Sequence, residues 1–145
     1  MSTKQQKNID KPPELIKYYM MTESLENYLE MVSFLADEGE VRVTDIASRL
    51  NVSKPSVLTA LRTLEDQELL EHRRYGTVSL TAKGIQEAKA IRERHLLLTS
   101  FFRDILGVAG ETAESDACKM EHLLSNESLQ KMKIYINKCR GSASN

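Results

Sequence analysis

The run VTDIASRLNVSKPSVLTALRTLEDQELLEHRRYGTVSLTAKG, Val43 to Gly84, constrains this chain more than any other stretch. Ile46, Ala47 and Leu50 share one side of a short helix that Thr44 can cap. Asn51 and Val52 make a tight turn, and Ser53 caps a second short helix with Pro55 in its first turn, where a missing N–H costs nothing. Val57, Leu61 and Leu64 recur at helical spacing and face inward. Leu69 to Arg74 and Thr77 to Thr81 then read as two strands around Tyr75 and Gly76. Such spacing lets the first helix brace the second, whose N-terminal residues stay exposed and can enter a major groove.

Those exposed positions are Ser53, Lys54, Pro55, Ser56 and Thr59. The free N–H groups of a helix start favour a phosphate, and short side chains can touch thymine methyl groups. Arg62, with Arg73 and Arg74 near the hairpin tip, can pair with phosphates. From Arg42 to Lys83 seven basic residues stand against five acidic ones, a small but clustered excess. The whole-chain formal charge of -1 counts mildly the other way. The bland alternative, a solvated helical surface used for protein contacts, does not explain a basic hairpin placed directly after the helix pair.

Around this module the chain reads as mainly α. Residues 1 to about 17 are polar and carry Pro12 and Pro13, and 1–21 suggest an N-terminal arm that ends in Leu15 to Met21. A helix is expected from Thr22, with Thr22 or Ser24 as cap, Leu25, Leu29, Val32 and Leu35 inward and Gly39 as its stop; Glu26, Asn27 and Glu30 lie on its other face. After a short extended piece at Val41 to Val43 and the helix–hairpin module, one long helix runs from Ala82 to about Leu106, carrying Ile85, Ala88, Ile91, His95, Leu98 and Phe102, and Gly107 closes it. Two more helices, about Ala113 to Leu124 and Asn126 to Cys139, offer Leu123, Leu124, Leu129, Met132 and Ile136 to a helical partner. With 41% hydrophobic and 28% charged residues, no apolar run near the ~18 residues that span a bilayer, and a polar start, a cytoplasmic globular protein is expected.

Cys118, Glu121 and His122 form C-x-x-E-H, which on a helix puts thiolate, carboxylate and imidazole on one face within reach of one ion. Asn27 and Glu30, three apart on the first helix, can complete a shell with oxygen donors. Taken alone, the triple reads equally as a small buried thiol beside two solvated residues, and His95 as ligand or structural histidine. His72 and Cys139 have no partner at ligand spacing; Glu114 and Asp116 are ambiguous.

From Ser24 to Cys139, about four fifths of its length, the chain resembles the diphtheria-toxin-repressor family of metal-dependent regulators, above all its short manganese-transport-regulator branch. The resemblance rests on SLENYLE, VSKPSV, LTAKG, RHLLL and DACKMEHLLS. It implies a homodimer, formed by the C-terminal helices, that binds a palindromic operator when iron(II) or manganese(II) is present and represses metal-uptake genes; the lack of a third domain matches the short branch. It also implies His95 as a metal ligand. The manganese branch has aspartate at Asn27 and glutamate at Cys118, and shares Glu30; the iron branch shares Cys118, Glu121 and His122 but has methionine at Asn27. A thiolate at Cys118 shifts preference toward softer ions such as iron(II), cobalt(II) or zinc(II) and puts a two-ion site in question. Thr99 and Glu114 stand where the iron branch has a glutamate and a histidine of its second site.

The expectation is therefore a winged helix-turn-helix DNA-binding domain over 22–90 and a helical dimerisation and metal-binding domain over 91–145. Its cofactor is a divalent transition metal, its partners are double-stranded DNA and a second copy, and it has no membrane and no small-molecule substrate. The rivals are a winged-helix regulator that ignores metal, and an enzyme using Cys118 and His122 as a thiolate–imidazole pair, for which no oxyanion donor is legible.

Overall fold

The structure is a computed structural model that describes residues 13–73 and 76–143, with side chains from residue 24 onward. Six α-helices and one hairpin follow in the order α1 (Pro13–Glu38), α2 (Val43–Leu50), α3 (Lys54–Asp66), β1 (Leu70–His72), β2 (Val78–Leu80), α4 (Ala82–Ser100), α5 (Gly110–Met120) and α6 (Asn126–Ala143). The first helix begins at Pro13 rather than Thr22. Proline is tolerated in a first turn, and nothing between Glu14 and Met21 breaks a helix. Residues 1–12 and the turn residues Arg74 and Tyr75 lie outside the described residues.

The DNA-reading module forms as its spacing dictates, with adjustments at the ends. The cap of α2 is Arg42, not Thr44: the Arg42 N–H donates to the Asp45 carboxylate at 3.0 Å, so the helix starts before the threonine. Asn51 ends α2 in the left-handed region (φ 53°), which asparagine tolerates. Ser53 Oγ accepts from the Ser56 N–H at 3.3 Å, capping α3 as expected. The strands are shorter than expected, three residues each, paired antiparallel from Leu70↔Leu80 to His72↔Val78, and the extended piece before α2 is a single bridge, Val41↔Val78.

Leu29, Val32 and Leu35 of α1, Ile46 of α2, Val57, Leu61 and Leu64 of α3, and Ala88 and Ile91 of α4 bury into one core. A second, smaller core gathers Leu98, Ala117 and Leu129 with Phe102 and Met132 packed against it. Helix α4 belongs to both, so it is the rod along which the two halves are joined. Ile85 is 57% exposed near the start of that rod.

The segment LTAKG sets where the rod starts. Thr81 Oγ1 caps α4 at Gly84 N (3.1 Å) and itself donates to Glu68 O (2.6 Å), while Lys83 Nζ donates to Gln67 O (2.9 Å). Gly84 lets α4 approach Leu69 so closely that a Cβ there would stand 1.8 Å from the Leu69 carbonyl oxygen. Beyond Ser100 the helix widens to a π-turn, Phe101–Ile105, before Gly107 (φ 74°) ends it.

Candidate metal centre and nucleic-acid interface

The structure brings side chains from α1, α4, α5 and the turn after α5 into one polar cluster where the two cores meet. Helix α5 stops at Met120, so Glu121 and His122 are not interior helix positions as C-x-x-E-H suggested. Glu121 is the C-cap, still helical in φ and ψ, and the Leu123 N–H closes the turn onto Met120 O at 3.0 Å. That turn carries both side chains inward: Glu121 is 1% and His122 9% exposed.

His122 Nε2 lies 3.0 Å from Asn27 Oδ1 and 3.2 Å from Glu121 Oε1, and its Nδ1 faces Glu26 Oε2. His95 Nδ1 pairs with Glu121 Oε2 at 2.8 Å, and its Nε2 with Glu114 Oε2 at 2.7 Å. Glu26 also accepts from Arg94 Nη2 at 3.2 Å. Of the residues expected from sequence, Asn27, His95, Glu121 and His122 are thus in direct contact. Glu30 and Cys118 are tied to the cluster through charge. Burial and the Glu121 charge raise the Glu30 carboxyl above the ordinary carboxylate range. Burial, then Glu121, Glu30 and Glu114, raise the Cys118 thiol. Burial pulls the Glu26 carboxyl up, but His122 and Arg94 outweigh it and hold it low. Hydrogen bonds to Glu121 and Glu26 push the His122 imidazole up to about 9. Burial opposes, yet Glu114 and Glu121 raise His95.

Glu121 Oε1 is buried without a hydrogen-bond partner. That oxygen has only the His122 Nε2 at 3.2 Å, outside hydrogen-bond geometry, so the cost of its burial is incompletely compensated, and a second buried acid at Glu30 adds to that cost. Oxygen donors of Asn27, Glu30 and Glu121, the His122 imidazole and the nearby Cys118 thiol are the ligand types of a divalent transition ion. Among the described residues, no group of three or more His, Cys, Asp and Glu has its donors drawn around one point, because the imidazoles are spent on carboxylates. The donor set fits an ion; holding one requires those imidazole–carboxylate pairs to be exchanged.

Both ring nitrogens of His122 face Glu26, Asn27 and Glu121, so among the described residues the Cys118–His122 pair of the thiolate–imidazole rival is not formed. On the other half of the molecule, Lys54, Ser56, Thr59, Arg62 and Arg73 are exposed on α3 and the hairpin. Ser53 and Ser56 hydroxyls lie 2.8 Å apart, and Thr59 Oγ1 donates to Pro55 O. Arg42 and Arg49 pair with Glu40 and Glu38; among the described residues Lys54, Arg62 and Arg73 join no ion pair, which leaves their charge for phosphate. Arg74 lies outside the described residues.

Residues 20–78 match the N-terminal DNA-binding domain of the iron-dependent repressors, and residues 81–142 match their metal-binding and dimerisation domain. The chain belongs to the iron-dependent repressor family. It is 39% identical over 117 residues to the transcriptional regulator MntR of Escherichia coli O157:H7, covering 80% of this chain and 75% of that one. It is 34% identical over 120 residues to an uncharacterised HTH-type transcriptional regulator of Methanocaldococcus jannaschii, covering 81% and 96%. A solved manganese-dependent transcriptional repressor in complex with manganese superposes with a TM-score of 0.70 at 28% identity, over 78% of this chain and 52% of that chain, so this chain spans about half of its length. The protein is a metal-dependent transcriptional regulator of this family, a family of regulators and not of enzymes. Among the described residues, no helix is long and apolar enough to cross a membrane.

In this member of the family the boundary between the two matched domains passes through the cluster: Asn27 and Glu30 fall in the DNA-binding domain, and His95, Cys118, Glu121 and His122 in the metal-binding one. Three contacts were not read from sequence. Glu26 stands beside Asn27, Arg94 beside His95, and Glu114 one helical turn before Cys118. The spacing of Glu114 to Cys118 was a usable signal, whereas the Arg94–Glu26 pair bridges 68 residues and has no local trace.

Proposed function

We propose that this chain represses metal-uptake genes by binding a palindromic operator as a homodimer when iron(II) or manganese(II) is bound by Asn27, Glu30, His95, Cys118, Glu121 and His122. The observation that carries the reading is the buried Glu121 carboxylate at the junction of the two halves, packed among the imidazoles of His95 and His122 and the raised carboxyl of Glu30. A bound divalent ion supplies positive charge there and replaces carboxylate repulsion by shared ligation.

The chain's own residues do the rest. Glu30 stands on α1, whose Leu29, Val32 and Leu35 share a core with Val57, Leu61 and Leu64 of α3. Close packing makes that core move as a body, so a constraint at Glu30 is delivered to the reading helix. Leu96, Leu123, Ile134 and Tyr135, each more than half exposed, supply apolar surface for a second copy. A dimer then presents two α3 helices to half-sites about one helical turn, ~34 Å, apart, with Ser53, Lys54, Pro55, Ser56 and Thr59 toward the groove and Arg62, Arg73 and Arg74 toward phosphates. Converting a rare matching conformer into the dominant one takes roughly 5 kcal/mol of differential binding, well within metal affinities. Within this donor set the Cys118 thiolate and the imidazoles favour iron(II), whereas the carboxylates and the Asn27 amide oxygen suit manganese(II).

The test is fluorescence anisotropy, under anaerobic conditions, with DNA from upstream of the chain's own gene. Chelator is compared with added iron(II) and manganese(II). The expected result is a gain in affinity of about tenfold or more, about 1.4 kcal/mol, that Glu121→Ala removes. Equal, tight binding in chelator would sink metal control and leave only DNA binding.

A further inference from the structure

Glu26 has no part in the donor set proposed above, yet it makes two of the cluster's contacts. Its oxygens are divided between two elements. Oε1 accepts from Arg94 on α4 at 3.2 Å, and Oε2 lies 2.5 Å from Nδ1 of His122 in the turn after α5. The trio is withdrawn from water: the Glu26 and Arg94 side chains are 22% exposed and that of His122 is 1% exposed. The opposite ring nitrogen, Nε2, faces Asn27 Oδ1 at 3.0 Å and Glu121 Oε1 at 3.2 Å.

An imidazole cannot exchange its nitrogens without turning over. A carboxylate that accepts from one nitrogen marks it as the N–H and leaves the lone pair of the other for a cation. Buried as it is, His122 has no room to solve this with water. The Arg94 guanidinium in turn occupies the second oxygen of Glu26, which keeps that carboxylate from swinging into the donor set itself.

We propose that Glu26, held in place by Arg94, is the positioning residue of the metal centre: it keeps Nδ1 of His122 as the N–H and turns Nε2 toward Glu121 and Asn27 as the ligating nitrogen. This rests on the metal-binding reading above. It also ties α1, α4 and the turn after α5 together at one carboxylate, so the helix that carries Asn27 and Glu30 is in register with the histidine they share.

The test uses the full chain loaded with zinc(II), a diamagnetic probe. Long-range proton–nitrogen NMR of the imidazoles is expected to show His122 protonated at Nδ1 and metal-bound at Nε2. Competition with a chromophoric chelator is expected to show zinc(II) bound about 10- to 100-fold more weakly by Glu26→Ala. Glu26→Gln, which still accepts but has no charge, falls between wild type and Glu26→Ala, and Arg94→Ala weakens binding in the same direction by about tenfold or less. Zinc(II) on Nδ1 of wild-type His122 overturns the proposal. So does a Glu26→Ala affinity within about threefold of wild type, well below the loss such partners usually cause. If Glu26→Ala does not fold, an unchanged affinity and His122 spectrum in both Glu26→Gln and Arg94→Ala overturns it equally. Failure of the underlying reading looks different: wild type then binds no zinc(II), or Glu121→Ala binds it as tightly as wild type.

Discussion

Replacing Gly84 by alanine adds one methyl group and should cost more than most core truncations. The new Cβ would stand 1.8 Å from the Leu69 carbonyl oxygen and 2.9 Å from its carbon, both backbone atoms that cannot swing aside. Reaching an ordinary contact of 3.4 Å requires α4 and the α3–β1 turn to part by about 1.6 Å, the difference between 3.4 and 1.8. That separation breaks or stretches Thr81 N–H to Leu69 O (3.1 Å), Thr81 Oγ1 to Glu68 O (2.6 Å) and Lys83 Nζ to Gln67 O (2.9 Å). At about 1 kcal/mol for each of the three hydrogen bonds, and about 1–3 kcal/mol for overpacking, the expected loss is about 4–6 kcal/mol. This is a large part of the 5–15 kcal/mol that a domain typically has. Urea unfolding followed by circular dichroism measures it, with Gly141→Ala as control: nothing lies within 4 Å of a Cβ there, and α6 should gain up to about 1 kcal/mol. Because the strained junction sets the start of the rod between the two halves, the variant should also bind DNA more weakly at saturating metal. A loss under about 1 kcal/mol would show that the close approach is soft and that the reasoning from contact distance fails.

Two further outcomes follow from the cluster. In chelator, stability should fall as pH rises from about 6.5 to about 9: His122 is pushed up to about 9 by Glu121 and Glu26 and His95 is also raised, so their imidazolium contribution is fully present below the unfolded value and is lost on passing the folded one. The loss is on the order of 2 kcal/mol once solvent screening is allowed for, and melting temperature against pH at fixed ionic strength should show a flatter slope for His122→Gln. Cys118→Glu should shift preference from cobalt(II) toward manganese(II) and abolish thiolate-to-cobalt charge-transfer absorption; an unchanged spectrum removes Cys118 from the donor set.

The paired helices, the turn at Asn51, the Ser53 cap and the inward faces of α1 and α3 were all legible in the chain, because each is decided within a few residues by period and capping chemistry. Ends were less legible. The start of α1 at Pro13, of α2 before Thr44 and the end of α5 at Met120 depend on which backbone groups find partners, which composition does not reveal. The residue types of the polar cluster were readable from C-x-x-E-H and from Asn27 and Glu30, although Glu121 and His122 come together through the turn after Met120 and not on a helix face.

What the sequence determined by itself is therefore local: periodic faces, caps, and donors close together in the chain. Tertiary structure decided which imidazole nitrogen meets which carboxylate, buried the Glu121 carboxylate between them, and brought Arg94 to Glu26 across 68 residues. It also brought Gly84 into a contact that only a missing side chain allows. The physical reason is the same in each case. Burial and pairing are properties of two surfaces brought together, and neither surface carries in its own residue order a record of the other.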